Sequence, residues 1–157
     1  MKLNHTLEID CPVEKVWYWL ATPERAMAWQ TNVSNTEILH QTPDWIGTTF
    51  RETVEENGRS TEMEGVVTKY IENQSLAMHM EGQYNTVDVE WYLEKLGEQS
   101  CLTVEADIRF KSFRRWMSII FWPVFMWGAL KQLQDEFTRL EELCECGNRT
   151  PPICNVV

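Results

Sequence analysis

Two consecutive stretches alternate strictly between apolar and polar residues, and they constrain this chain more than any other feature. In the first, Val87, Val89, Trp91 and Leu93 share one face, while Asp88, Glu90 and Glu94 take the other. In the second, Leu102, Val104, Ala106, Ile108 and Phe110 oppose Glu105 and Asp107. A period of two marks strands, and a dry face backed by a charged one marks an antiparallel sheet wetted on one side. Such a sheet needs a cover for its dry face. The C-terminal third supplies one. Leu130, Leu133, Phe137, Leu140 and Cys144 form a single stripe at helical spacing, with Lys131, Asp135, Arg139, Glu142 and Glu145 away from it. The stripe extends backward through Met126, Trp122 and Ile119, so the spacing predicts a long helix from Phe113 to Glu145, interrupted at Pro123.

The rest of the chain fits the same plan. Leu3, His5, Leu7 and Ile9 alternate in a first strand, Lys2 to Ile9, which ends at Asp10-Cys11-Pro12. Proline suits the first turn of a helix, where its missing N–H is not needed, and Val13, Val16, Trp17 and Leu20 then recur at helical spacing. Thr22-Pro23-Glu24 opens a second helical turn running to about Trp29. Strands are predicted over Val33 to His40, Thr48 to Glu55, Thr61 to Ile71, Leu76 to Glu81, Tyr84 to Lys95 and Cys101 to Phe110. Asn57-Gly58 is a hairpin signal between two of them. The fold class is α+β: a curved antiparallel sheet of about seven strands against one long helix, with two short helices after the first strand. A curved sheet gripping one helix leaves a hollow, and apolar hollows are where small molecules bind.

A length of 157 residues suits one domain, expected over 2–146 and followed by an irregular tail over 147–157. The formal net charge of −10 argues against nucleic acid, which needs a basic face. That charge is uneven. Residues 1–108 hold seven basic and nineteen acidic residues, whereas 109–157 hold seven basic and five acidic. Arg109, Lys111, Arg114 and Arg115 cluster there, either as a solvated turn or as a patch for a membrane or an anionic ligand. The opening residues MKLNHTLEID carry no pattern of a secretory signal. Cys11, Cys101, Cys144, Cys146 and Cys154 are an odd number without framework spacing, so reduced thiols and a cytoplasmic location are expected.

Several local motifs resemble the START-like helix-grip superfamily, the group of polyketide cyclase/dehydrase-like, lipid-transport and birch-pollen-allergen-like proteins. Ile9-Asp10-Cys11-Pro12-Val13-Glu14-Lys15-Val16-Trp17, then Ala21-Thr22-Pro23-Glu24 and Trp29, resemble the opening strand, helix and turn of that group. Ile46-Gly47-Thr48-Thr49-Phe50 is similar to its lead-in to a strand. The run from Glu64 to Asn73, with Leu76-Ala77 after it, resembles a strand-and-turn segment, and Leu140 to Glu145 resembles its helix end. The resemblance covers about residues 2–145 and implies a helix-grip fold. It leaves function open among carriers, cyclases, condensing enzymes and chaperone-associated domains, because fold does not fix function.

The predicted lining of the hollow is Phe50, Tyr70, Met78, Met80, Val89, Trp91 and Val104 from the sheet, with Trp122, Met126, Leu130 and Leu133 from the helix. Aromatic groups give rigid walls and methionines adaptable ones. Each of these side chains also suits plain core. Glu52 shares strand parity with Phe50 and Val54, and Glu64 with Val66 and Tyr70. If those faces point inward, both carboxylates enter the hollow, where burial raises a carboxyl toward a useful general-acid range. Alternatively both lie in water near strand ends, or Gly65 marks a bulge that reverses the parity. No metal is expected, since His5, His40 and His79 show no ligand spacing and no recurring acidic partner. No cofactor is expected either: the chain lacks a nucleophile elbow, a phosphate loop and a dinucleotide fingerprint.

The expected function is therefore binding or carriage of an apolar or amphipathic small molecule. A cofactor-independent cyclase/dehydrase- or isomerase-type enzyme using Glu52, Glu64 or Tyr70 is the alternative. A third reading is an interaction protein that docks through Trp116 to Leu130, a stretch without a single charge and apolar on every side. Its fifteen residues rise about 22 Å, short of the ~30 Å hydrocarbon core. Its cover is then the first helix pair, a second subunit in a homodimer, or a membrane interface.

Overall fold

The computed structural model describes residues 2–56, 59–111 and 122–145, with the side chains of 56, 59, 122–127, 129 and 130 outside that description. Strand β1 (Lys2–Ile9) leads into α1 (Val13–Leu20) and α2 (Pro23–Ala26). Six strands follow: β2 (Val33–His40), β3 (Thr49–Glu56), β4 (Arg59–Ile71), β5 (Ser75–Gly82), β6 (Asn85–Leu96) and β7 (Gln99–Phe110). The last described element is α3 (Trp122–Glu145). The strands form one antiparallel sheet in the order β1-β7-β6-β5-β4-β3-β2. It is a six-strand meander whose last strand pairs with the first strand of the chain, so hairpins alone build nearly all of it.

Element identities follow the alternation, and boundaries differ from the predicted ones by a residue or two, as frayed ends do. Two local expectations need correction. Pro12 is the residue before α1 rather than part of its first turn. The second helix stops at Ala26, and a turn carries the chain on to Trp29. Glu56 pairs with Arg59, which brackets the Asn57-Gly58 hairpin signal. Residues 113–121 of the predicted helix, residue 146 and the predicted tail over 147–157 lie outside the described residues; from Pro123 onward α3 is continuous.

The dry face is built as the parity requires. Leu76, Trp91, Leu93, Leu102 and Val104 are buried together with Val16, Trp17 and Leu20 of α1 and with Phe137, Leu140 and Cys144 of α3. Leu133 packs against that core half-buried. Glu136, one residue from the centre of the α3 stripe, is buried as well. It is satisfied there, because its Oε1 accepts from the Thr31 backbone N–H (2.9 Å), the Thr31 hydroxyl (2.8 Å) and Gln132 Nε2 (3.0 Å). The carboxylate thus ties α3 to the segment between α2 and β2.

The wet face carries the acid excess. Its register sets like charges opposite one another, Asp88 against Asp107 and Glu90 against Glu105. Bases clip these rows: Arg109 reaches Asp88 at 3.0 Å and Asp107 at 3.1 Å, and Lys69 donates to Glu90 at 2.6 Å. His79 does have an acidic partner, with Nδ1 2.6 Å from Asp88 Oδ1, because β5 and β6 place the two directly across from each other. Sequence spacing within one strand does not register such cross-strand neighbours.

Candidate ligand pocket

A pocket enclosing about 60 Å³ opens between the α1–α2 segment and the inner face of β2 to β6. Leu20, Ala21, Pro23, Ala26, Trp29 and Gln30 wall it from the helical side. Thr36, Ile38, Phe50, Glu52, Val67, Tyr70, Leu76, Met78 and Trp91 wall it from the sheet, and Trp45 and Thr48 from the β2–β3 connection. Four of the predicted lining residues therefore meet there: Phe50, Tyr70, Met78 and Trp91. Met80 and Val104 are buried in the neighbouring core. Val89 borders a second, more open concavity of about 510 Å³, which it shares with Met78. The side chains of Trp122, Met126 and Leu130 lie outside the described residues. So do residues 116–121, and with them most of the proposed docking segment.

Strand parity decides which carboxylate reaches the pocket. Glu52 stands on β3 between Thr36 of β2 and Met63 of β4, on the inward face with Phe50 and Val54. Glu64 faces out. It accepts from Arg51 Nη2 at 2.9 Å, and Arg51 also approaches Glu37. Tyr70 nevertheless faces in, because the β4–β5 register slips by one residue between Val67 and Lys69. A bulge at Thr68 thus reverses the parity. Gly65 is regular strand, and its missing side chain has another use. The Phe50 ring lies over it so closely that a Cβ would overlap three ring atoms.

The aromatic wall is tightly interlocked. The Tyr70 ring stacks on Trp45, with centroids 5.7 Å apart and planes 17° apart, and Trp17 meets its edge at 5.3 Å. Trp29 meets Trp91 edge-on at 5.7 Å, and Trp29 Nε1 donates to the Trp19 carbonyl. Trp45 is held at φ +67°, a left-handed conformation that bulky residues rarely adopt. Its connection is fixed by backbone bonds from Trp45 to Thr42, Thr48 to Trp45 and Gly47 to Val67. The Thr42 hydroxyl also donates to the Ile46 carbonyl.

Two polar groups in this wall bear on its chemistry, the first of them buried without a hydrogen-bond partner among the described residues. One is Trp91 Nε1–H, fully buried. The other is the Glu52 carboxyl, which burial alone pushes up to about 7. Desolvation penalises the charged form, and no nearby base offsets it. Glu52 is the one charged residue in the wall, and Tyr70 is the other titratable one.

Sequence reasoning missed the half of the wall that comes from α1–α2 and from the β2–β3 connection, Trp29 and Trp45 above all. A tryptophan set among Pro43, Asp44 and Gly47 was the available signal for Trp45, since turns ordinarily hold small polar residues.

Among the described residues no helix is long and apolar enough to cross a membrane, and no cluster of His, Cys, Asp and Glu is arranged to hold a metal ion. No curated protein sequence matches the chain. Its fold is similar to that of a protein from Thermus thermophilus, at 12% identity and TM-score 0.76, covering 95% of this chain and 100% of that one. A START superfamily protein from Mycobacterium smegmatis shares 20% identity, with TM-score 0.76 and coverage of 92% and 97%. The Zhui aromatase/cyclase from Streptomyces sp. R1128 shares 14% identity, with TM-score 0.75 and coverage of 96% for both chains. At such identities these likenesses establish the helix-grip fold. The sequence itself matches the model of one family across residues 1–145, and the chain belongs to that family: polyketide cyclase / dehydrase and lipid transport.

Proposed function

We propose that this chain binds an apolar or amphipathic small molecule in the pocket between α1–α2 and the sheet, residues 2–146 acting as one unit. The supporting observation is the wall itself, aromatic and aliphatic but for a few polar groups. Burying a ligand there gains about 25 cal/mol per Å² of apolar area, before the costs of ordering. Phe50, Tyr70, Met78 and Trp91 are its contacts in this reading, with Trp45 and Trp29 added. The free thiols Cys11, Cys101 and Cys144 support a reducing, cytoplasmic setting. Native mass spectrometry of protein purified from its own host tests the reading. A co-purified small molecule that is lost when Phe50 or Trp91 is replaced by Ala in a folded variant is expected. Retention of the same molecule by both variants places it elsewhere and overturns the proposal.

One observation favours an enzymatic second reading: Glu52 is a half-buried carboxyl in the same pocket, with its pKa raised by burial. In that reading it moves a proton on a bound cyclic substrate, in cyclase/dehydrase- or isomerase-type chemistry with Tyr70 nearby. Turnover of a bound ligand that is unchanged in Glu52→Gln rejects this role.

A further inference from the structure

We infer that the pocket selects ligands whose polar end is a cation, an apolar amine, and that Glu52 is the residue that selects them. The inference rests on the ligand-binding reading above and names the ligand class. Its starting point is an imbalance. Glu52 is the one charged group in the wall, and among the described residues nothing donates to it or neutralises it. Glu52 is half-buried, and a carboxylate set in a largely apolar wall is stabilised by a cationic partner, which no neighbouring residue of that wall supplies. Thr36 stands beside it across the β2–β3 register, and Met63 on the other side brings no base.

Three features of the surroundings point to the missing partner. An ammonium group satisfies the carboxylate with charge-assisted hydrogen bonds, roughly twice as strong as neutral ones. The Trp45–Tyr70 stack and Trp29 add aromatic groups to the same wall, and aromatic faces attract cations. The whole chain carries −10, so its field draws cations in and repels anionic amphiphiles such as fatty carboxylates. A neutral alcohol finds the same apolar wall but only the weaker neutral bond.

The test uses three probes that share one ring and differ in their polar end: benzylamine, benzyl alcohol and benzoate. Binding is followed at about pH 8, where Glu52 is ionised, through the indole N–H signals of the protein by NMR. Benzylamine is expected to bind about tenfold tighter than benzyl alcohol, with benzoate weakest. Shifts should fall on the Trp45 and Trp91 signals. In Glu52→Gln, checked for folding by its indole spectrum, the ratio of amine to alcohol affinity should fall to about one. Equal binding of amine and alcohol by the unaltered protein overturns the inference and leaves the pocket reading standing. So does an amine preference that survives Glu52→Gln. If none of the probes moves the Trp45 or Trp91 signals, the pocket reading falls and this inference with it.

Discussion

Replacing Glu52 by Gln should make the protein more stable, by an amount that depends on pH in a way worked out from its burial. Burial raises the carboxyl from 4.5 to about 7. The folded state therefore holds a proton that the unfolded state releases between those values. Below about 4.5 the group costs nothing through titration. As pH rises from about 4.5 to about 7, ionisation increasingly favours the unfolded chain, where the carboxylate is hydrated, and the cost levels off above about 7. At ~1.36 kcal/mol per pKa unit the full cost is about 3 kcal/mol. Linkage leaves under 1 kcal/mol of it at about pH 5 and nearly all of it at about pH 8. Gln has nearly the same shape and does not titrate. The stability of Glu52→Gln relative to the original should therefore grow by about 2.5 kcal/mol between about pH 5 and pH 8. Urea unfolding of both proteins at several pH values measures this directly. Every other titrating group is common to the two and cancels, as does any fixed cost of placing an amide in the pocket. Parallel stability curves would refute the reasoning and place the carboxyl in water.

Other consequences are local. Gly65→Ala drives a methyl group into the Phe50 ring, so the ring must swing into the pocket. A loss of about 1–3 kcal/mol in urea unfolding is expected, together with weaker probe binding. Glu136→Ala leaves the Thr31 N–H and hydroxyl without their acceptor and opens the tie between α3 and the α2–β2 segment. It should cost about 2–4 kcal/mol, whereas exposed Glu142→Ala should cost under about 0.5 kcal/mol. Cys11 and Cys144 lie buried with their thiols in contact, and burial raises the pKa of both. Iodoacetamide applied to the folded protein should modify half-buried Cys101 well before either, by peptide mapping; equal rates would contradict that burial.

How far the sequence could be read depended on whether a feature is periodic. The alternation of β6 and β7 and the stripe of α3 repeat over many residues, so they assign elements, the buried face and the antiparallel sheet together. The wall from α1–α2 and the β2–β3 connection repeats nothing. Trp45 reaches the pocket because one residue is held at φ +67° and the flanking backbone bonds fix it there, a conformation that no pattern announces. Cross-strand partners were out of reach for a related reason. His79 meets Asp88, and Arg109 bridges Asp88 and Asp107, through a register that forms only when the sheet does.

The sharpest case is the pair of carboxylates. Glu52 and Glu64 look alike in sequence, each one strand position in from apolar neighbours, and parity counting from Tyr70 would turn Glu64 inward. One extra residue at Thr68 separates them. Counted from Met63 and Val67, which are buried, Glu64 belongs to the outer face, where Arg51 neutralises it. Counted from Tyr70 across the bulge, it does not. The bulge thus lets β4 expose an acid at one end and present a tyrosine to the pocket at the other. Without it, Tyr70 would leave its stack with Trp45 and the aromatic wall would open, or Glu64 would stand inside next to Glu52. Two carboxylates in that pocket would repel each other and share one proton. Glu52 instead stands as the wall's lone charge, its carboxyl raised by burial alone, and the cation preference proposed for it depends on Glu64 being kept outside by that slipped register.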